Sequence, residues 1–122
     1  MDAADLAGAT LRPVEFEPTS QKWAGQRCAG FQLHVTEPYA FRPYRTSLRL
    51  LQIIARLYPK DFRWKSPPYE YEFEKRPIDL ILGDRAVRRS LERQTSLASL
   101  EAKWKPALAA YEALIQPLRI YP

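Results

Sequence analysis

Hydrophobic and polar residues alternate in two stretches of the first third of this chain. In residues 30–36 one side of an extended backbone would be apolar and the other polar. The members of these two faces are Phe31, Leu33 and Val35, and Gln32, His34 and Thr36. A period of two is typical of a half-buried β-strand, and residues 11–17 show a similar pattern. We therefore predict two strands joined by a loop.

A helical spacing replaces the alternation after the proline-rich segment EPYAFRPYR. Thr46 or Ser47 can accept a hydrogen bond from the free N–H groups of a helix start, and Pro59 would end the helix. Its apolar face would consist of Leu50, Leu51, Ile54, Leu57 and Tyr58. This spacing predicts a helix that packs one face against the core.

Residues 69–74, YEYEFE, return to a strict alternation of aromatic and acidic residues, which predicts a third strand. A single helical turn is expected within residues 77–83. Asp84 is well placed to cap another short helix, which should end near Arg93.

The last third of the chain is predicted to be a helix that begins at Thr95 or Ser96. Pro106 lacks the N–H that would bond to the carbonyl four residues earlier, so it should kink this helix, and Pro117 should end it. The apolar face would consist of Leu97, Leu100, Trp104, Leu108, Tyr111 and Ile115. The closing LRIY has a composition that suits an edge strand.

Strands early in the chain and helices late in it predict an α+β fold. We expect a small mixed or antiparallel sheet of three to four strands, covered on one side by about three helices. Residues 1–10 are small and polar without a sustained pattern, which indicates a flexible lead-in. Residues 11–122 have the size of a single domain, and such a domain can bury a core without disulfides or metals.

Net charge, hydropathy and cysteine content limit which partners and cross-links the chain can have. A net charge of +5 suits an acidic partner, but the scattered basic residues argue against nucleic acid. One local concentration forms either a solvated helix face or a docking surface: Arg85, Arg88, Arg89 and Arg93. No apolar run is long enough to cross a membrane, and we expect no membrane partner. With Cys28 as its only cysteine, the chain forms no internal disulfide.

The side chains that most often carry chemistry do not form a recognisable catalytic set. His34 is the only histidine, and no nucleophile accompanies it, so we favour hydrogen bonding to a loop or to a sugar hydroxyl. Cys28 is expected to behave as a small buried apolar residue. The histidine, cysteine and carboxylates lack the spacing of metal ligands, so neither a metal nor another cofactor is expected.

Aromatic residues are concentrated in the predicted loops. They are Trp23, Tyr39, Phe41, Tyr44, Phe62 and Trp64. The face of an aromatic ring can stack against the C–H face of a sugar while neighbouring polar groups bond its hydroxyls. The same rings can instead pin their loops to the core, and both interpretations stay open.

The order of several motifs resembles the C-terminal domain of the NamZ-type exo-β-N-acetylmuramidases. These motifs are LRPVEFEPTSQKWAGQRCAGFQLHV, FRPYRTSLRLLQIIARLYP, IDLILG with the following short helix, the Trp-containing helix, and LRIYP. The family consists of bacterial glycoside hydrolases that remove terminal N-acetylmuramic acid from peptidoglycan fragments. The resemblance extends over most of the chain.

The resemblance implies a domain that packs beside a larger Rossmann-like catalytic domain and partly covers its cleft. That catalytic domain is expected to be the partner of this chain, together with a muramic-acid-containing glycan. By analogy, the loop after the first strand and the polar side of the second strand would face the cleft, with Lys22 or Arg42 available for the lactyl carboxylate. The candidate substrate-binding residues are Lys22, Trp23, Gln32, His34 and Arg42.

Catalysis by the isolated chain is not expected. Glycoside hydrolysis usually requires two carboxyl groups, and the obvious cluster here is Glu70, Glu72 and Glu74, which suits an exposed strand face better than a catalytic pair. The competing hypothesis is a stand-alone module that binds a cell-wall glycan or a protein through the basic helix and the loop aromatics. The resemblance implies a bacterial protein, periplasmic or exported if the full-length protein carries a signal peptide, and otherwise cytoplasmic.

Overall fold

The computed structural model describes residues 3–121, with side chains from residue 5 onward. Its contacts divide the chain into two compact units, residues 1–47 and 48–122, with the division inside the first α-helix. The elements in chain order are a 3-10 helix (Ala3–Leu6), β1 (Ala9–Phe16), β2 (Cys28–Val35), α1 (Pro43–Leu57), α2 (Pro77–Ile81), α3 (Arg85–Glu92), α4 (Leu97–Ile115) and a second 3-10 helix (Gln116–Leu118). The α+β class is confirmed, whereas the predicted lead-in over residues 1–10 and the single domain over residues 11–122 stay predictions.

The first unit is built on an antiparallel hairpin of β1 and β2. Leu11 lies opposite Leu33, and Arg12 lies opposite Gln32. Opposed residues point to the same side of the sheet, so the hairpin has an apolar face and a polar face. The apolar face consists of Ala9, Leu11, Pro13, Ala29, Phe31, Leu33 and Val35, with Glu15 at its loop end. The polar face carries Thr10, Arg12, Gln32 and His34 toward the open end, and Val14, Phe16, Cys28 and Gly30 toward the loop. Neither strand contributes a buried residue.

The open end of the hairpin is closed by a tight turn around Gly8. The Gly8 carbonyl accepts hydrogen bonds from the N–H groups of Thr36 (2.8 Å) and Glu37 (3.1 Å). Its φ is +68°, and a Cβ at this position would collide with the backbone of Glu37 and Phe41. Only glycine can adopt this positive φ without strain and also leave the space that a Cβ would occupy.

The start of α1 differs from the prediction. The helix begins at Pro43, where the fixed φ of proline suits a first helical residue. Thr46, predicted as a possible cap, is buried inside the first turn, and its hydroxyl donates a hydrogen bond to the Asp5 carbonyl at 2.8 Å. The Asp5 carboxylate also accepts from the Arg45 guanidinium at 3.3 Å. These bonds tie the first 3-10 helix to α1.

The second unit has a small apolar core made by α1, α3 and α4. Its buried residues are Leu48, Val87, Leu91, Leu97 and Leu100, and Leu51, Trp64, Leu82 and Trp104 pack against them. Gln52 is only 1% exposed, and its amide donates to the Thr95 carbonyl at 2.8 Å. The buried amide therefore fixes α1 to the turn between α3 and α4.

The apolar face predicted for α1 is only partly buried. The helix and its end before Pro59 are confirmed, and Leu51 packs against the core. Ile54, Leu57 and Tyr58 are exposed instead. The core-facing side of α1 is rotated toward Leu48 and Gln52. The same divergence occurs on α4, where Leu108 and Tyr111 are exposed.

The expected sheet of three to four strands is not confirmed, because residues 3–121 contain two strands. Residues 69–74 form a tight turn closed by a single bridge between Tyr69 and Glu72. The Glu72 carboxylate accepts hydrogen bonds from the N–H groups of Glu74 (2.8 Å) and Lys75 (3.0 Å). Local capture of these donors competes with strand pairing. The closing LRIY is also not a strand, since its leucine ends the second 3-10 helix.

The caps at Asp84 and Ser96 and the presence of three helices in residues 77–115 are confirmed, whereas the kink at Pro106 stays a prediction. Asp84 accepts a hydrogen bond from the N–H of Ala86 at the start of α3, and Ser96 accepts one from Ser99 at the start of α4. The short turn over residues 77–83 is α2, and α4 continues through Pro106.

Arg88 connects α2 to α3. Its Nε donates to Asp79 at 2.6 Å and its Nη1 donates to Glu92 at 2.7 Å. The side chains of Arg88 and Asp79 are 12% and 10% exposed. Hydrogen bonds to Asp79 first, and then to Glu92, raise the pKa of the Arg88 guanidinium above its ordinary value. The basic cluster of α3 is therefore not a uniform solvated face.

We expect Arg88→Met to destabilise the chain by about 3 kcal/mol, because it leaves the Asp79 carboxylate largely buried without its cation. The free energy of unfolding in urea measures the change. Arg85→Gln, at an exposed position of the same helix, should change stability by no more than about 0.5 kcal/mol. Equal effects of the two substitutions would contradict a structural role for the Arg88 network.

We expect the Glu72 carboxyl to titrate below its ordinary pKa of 4.5, because the N–H groups of Glu74 and Lys75 stabilise its charged form. A lowered pKa in the folded state adds stability above the unfolded value, and this contribution is lost as the pH falls through the folded value. Carbon-detected NMR gives the midpoint. The backbone amide resonances of Glu74 and Lys75 should move as the Glu72 carboxyl titrates. Glu72→Gln should abolish this pH-dependent movement, whereas Glu17→Gln should preserve it. A midpoint at or above 4.5 would rule out this stabilisation.

Candidate functional site

The polar face of the hairpin brings together two of the predicted substrate-binding residues and one that was missed. Gln32 and His34 both lie on this face of β2, next to one another along the strand. The Arg12 guanidinium donates to the Gln32 side-chain oxygen at 2.7 Å. This bond orients the Gln32 amide and places the Arg12 cation beside it. The hairpin therefore presents a charged donor and a neutral donor next to one another.

The alternation of β1 is the sequence signal for Arg12, but it gives only the face on which Arg12 lies. Arg12 and Thr10 share a face of β1, and pairing places them opposite Gln32 and His34. The pattern of β1 is weak because Pro13 interrupts it. Without the register of the hairpin, the opposite partner of Gln32 could not be identified.

Lys22 and Trp23 lie at the other end of the hairpin, in the loop between the strands. The loop is closed by hydrogen bonds from Gly25 N–H to the Pro18 carbonyl (3.0 Å) and from Gln26 N–H to the Trp23 carbonyl (3.0 Å). Trp23 adopts a positive φ of 66° and is 63% exposed. His34 is six residues from Cys28 at the loop end of β2, a span of about 20 Å. Lys22 and Trp23 therefore lie at the opposite end of the hairpin from His34.

Arg42 lies immediately before α1, and its side chain is exposed. Its carbonyl accepts the N–H of Thr46 at 3.0 Å, so its backbone is part of the helix start. The N–H of the neighbouring Phe41 donates a hydrogen bond to the Glu37 carbonyl, in the turn that packs on Gly8. Arg42 therefore lies toward the open end of the hairpin, as His34 does, and away from Lys22.

The hairpin contains charged groups that can bind a ligand but no evident acid–base pair. The Glu15 carboxylate, at the loop end, forms an ion pair with the guanidinium of Arg27. Cys28 is half-buried, and its thiol donates weakly to the Gln26 carbonyl at 3.5 Å. Among the side chains of residues 5–121, no group of histidine, cysteine and carboxylates could hold a metal ion. The arrangement is suited to binding polar groups.

A pocket of about 550 Å³ lies within the second unit. It is formed by the end of α1, the loop that follows it, the residue before α2 and the end of α3. Its lining residues are Ala55, Pro59, Phe62, Arg63, Trp64, Ser66, Arg76 and Glu92. The rings of Phe62 and Trp64 meet edge to face, with centroids 4.7 Å apart. The sequence indicated these two aromatic residues, but it did not indicate the charged groups beside them.

The Glu92 carboxylate holds the pocket wall in place. Its Oε1 accepts hydrogen bonds from the Trp64 indole at 3.0 Å and from Arg88 at 2.7 Å. Trp64 also packs against the core of the second unit. The ring of Trp64 therefore serves to pin its loop as well as to line a cavity. Tyr39, in contrast, is fully exposed.

The helices among the described residues are too short or too polar to cross a membrane. The fold itself has a counterpart of known structure. A crystal structure of a DUF1343 family protein from Bacteroides fragilis matches all of this chain and 33% of that one, with a TM-score of 0.70 and 16% sequence identity. At that identity the likeness shows a shared fold.

Sequence comparison identifies the family. The peptidoglycan beta-N-acetylmuramidase NamZ of Bacillus subtilis strain 168 is 28% identical over 121 residues, which are 99% of this chain and 27% of the relative. The chain therefore spans about a quarter of the length of that enzyme. Residues 1–121 match the family described as "Exo-beta-N-acetylmuramidase NamZ, C-terminal". The chain belongs to this family of NamZ C-terminal domains.

Proposed function

We propose that this chain is the cleft-covering domain of an exo-β-N-acetylmuramidase-like glycoside hydrolase and is inactive without its catalytic domain. The observation that carries the proposal is the match of the whole chain to a C-terminal family and to only 27% of the Bacillus subtilis enzyme. The remainder of that relative is large enough for the Rossmann-like domain that the resemblance implies. Its substrate would be a peptidoglycan fragment ending in N-acetylmuramic acid.

The apolar face of the hairpin supports docking to a catalytic domain. A two-stranded sheet is marginally stable in water unless its apolar face is covered. Phe31 is 67% exposed, and Val35 is also exposed on the same face. Contact with the catalytic domain would remove these side chains from water, and burial of their apolar surface would stabilise the complex.

The polar face of the hairpin supports contact with the glycan. Arg12 and Gln32 offer a guanidinium and an amide that are already oriented by their mutual bond. Donors held in place bind a ligand with less loss of conformational entropy. His34 lies beside them on the same face. We place the lactyl carboxylate at Arg12, with the sugar hydroxyls at Gln32 and His34, and keep Lys22, Trp23 and Arg42 as further candidates.

Several carboxylates are engaged in structural bonds, which supports inactivity of the isolated chain. Glycoside hydrolysis needs one carboxyl group to donate a proton and a second to act as base or nucleophile. Glu15, Asp79 and Glu92 are ion-paired with arginines. Glu72 accepts backbone N–H groups in a turn. The catalytic carboxyl groups would then come from the partner domain.

The alternative function is a stand-alone module that binds a cell-wall glycan or a protein without catalysis. The aromatic pocket of the second unit favours it, because an independent binding module needs a concave site of its own. A docking domain, in contrast, needs an exposed apolar face. The chain has both features, so the two functions are separated by activity in the presence of the catalytic domain.

We expect the purified chain alone to release no N-acetylmuramic acid from a chromogenic muramide, because the proposal assigns the catalytic carboxyl groups to the partner domain. The assay is release of the chromophore, with the full-length Bacillus subtilis enzyme as positive control for substrate and buffer. Release by this chain that disappears in Glu92→Gln, or in another point variant that still folds, would overturn the proposal of an inactive domain.

We expect N-acetylmuramic acid at millimolar concentration to shift the backbone amide resonances of Gln32 and His34 saturably. Arg12→Gln should weaken this binding about tenfold, since it removes a charge-assisted hydrogen bond. Arg27→Gln, at the loop end of the hairpin, is the matched control and should leave the affinity within a factor of two. Absence of the shifts, or equal behaviour of the two variants, would move the glycan contact away from this face.

A further inference from the structure

The pocket of the second unit combines cationic donors with an aromatic wall. Arg63 and Arg76 line it together with the edge-to-face pair of Phe62 and Trp64. Its volume of about 550 Å³ lies in the range of small-molecule sites. We infer that this pocket is a second ligand site that binds a sugar acid, with the carboxylate at the two arginines and the ring against the aromatic pair.

Arg63 is held in position by its own loop. Its Nη1 donates to the carbonyls of Pro59 (3.2 Å) and Phe62 (2.7 Å). These two bonds use one end of the guanidinium and leave Nε and Nη2 as donors. A planar guanidinium fixed in this way matches the two oxygens of a carboxylate. The loop therefore prepares one half of an anion site before any ligand arrives.

Arg76 supplies the second cation. Its side chain is exposed and makes neither a hydrogen bond nor an ion pair with any side chain of residues 5–121. Arg76 precedes α2, whose Asp79 is already bonded to Arg88. The charge of Arg76 is therefore uncompensated at the pocket, and a carboxylate would neutralise it.

Glu92 does not cancel this preference for an anion. Its Oε1 is occupied by both Trp64 and Arg88, and the single Arg88 cation is shared between Glu92 and Asp79. Arg63, Arg76 and Arg88 together exceed Asp79 and Glu92 by one positive charge, so the pocket still favours an anion. The Oε2 oxygen remains an acceptor for a sugar hydroxyl or amide.

The choice of a sugar as the body of the ligand rests on the proposed function, whereas the need for a carboxylate comes from the two arginines. A peptidoglycan enzyme meets sugar acids in its own substrate. Six-membered sugar rings present apolar C–H faces that stack on aromatic side chains. N-acetylmuramic acid, which joins a carboxylate to such a ring, is the probe that tests both halves of the inference.

The test is an NMR titration of the full chain, observing the Trp64 indole N–H, with three ligands. N-acetylmuramic acid carries both groups, N-acetylglucosamine has the ring without the carboxylate, and D-lactate has the carboxylate without the ring. We expect saturable shifts at millimolar N-acetylmuramic acid and binding at least fivefold weaker for the other two. Equal affinity for either fragment would overturn the assignment of a sugar acid.

Arg76→Gln should weaken binding of N-acetylmuramic acid at Trp64 about tenfold, whereas Arg85→Gln on α3, outside the pocket, should leave it within a factor of two. An unchanged affinity in Arg76→Gln, or no shift of the indole resonance, would refute the pocket site. The outcome is separable from that of the proposed function, because the hairpin is followed by the amides of Gln32 and His34 and inactivity is measured by the chromogenic assay.

Discussion

The guanidinium of Arg88 is the group on which the second unit depends. It bonds to Asp79 in α2 and to Glu92 at the end of α3, and Glu92 in turn holds the Trp64 indole. One cation thus joins two short helices and the loop after α1. Short helices gain little stability from their own backbone bonds and need such tertiary contacts. The pocket is bounded by the same elements, so its shape follows from this network.

The hairpin of the first unit has the opposite character, because its strands contribute no buried side chain to a core. None of its strand residues is buried, and one face carries Phe31, Leu33 and Val35. Docking to a catalytic domain, as proposed above, would cover this face. The other face, with Arg12 bonded to Gln32, is preorganised for a polar ligand.

The success of the sequence predictions varied with the range of the interactions involved. The caps at Asp84 and Ser96, the end of α1 before Pro59 and the alternation of residues 30–36 depend on neighbours a few residues away, and they were confirmed. The alternation of residues 69–74 misled because a carboxylate captured the backbone N–H groups of its own turn. Of the candidate site residues, Gln32 and His34 were brought together, while Lys22 and Trp23 were placed at the far end of the hairpin.

The sequence by itself determined the family and most of the local elements, since capping, proline stops and strand alternation depend on adjacent residues and the ordered motifs extend over the chain. Only the tertiary structure decided which side of α1 is buried. Leu48 and Gln52 are covered while Ile54 and Leu57 are exposed, because the bond from Gln52 to Thr95 and the contacts of the core set the rotation of the helix. The pairing of Arg12 with Gln32 and the charged pocket around Trp64 likewise join residues that are twenty or more positions apart or lie on different elements. Periodicity predicts the side of a helix or strand on which a residue lies, but it does not predict which residue of another element contacts it. A site depends on those contacts.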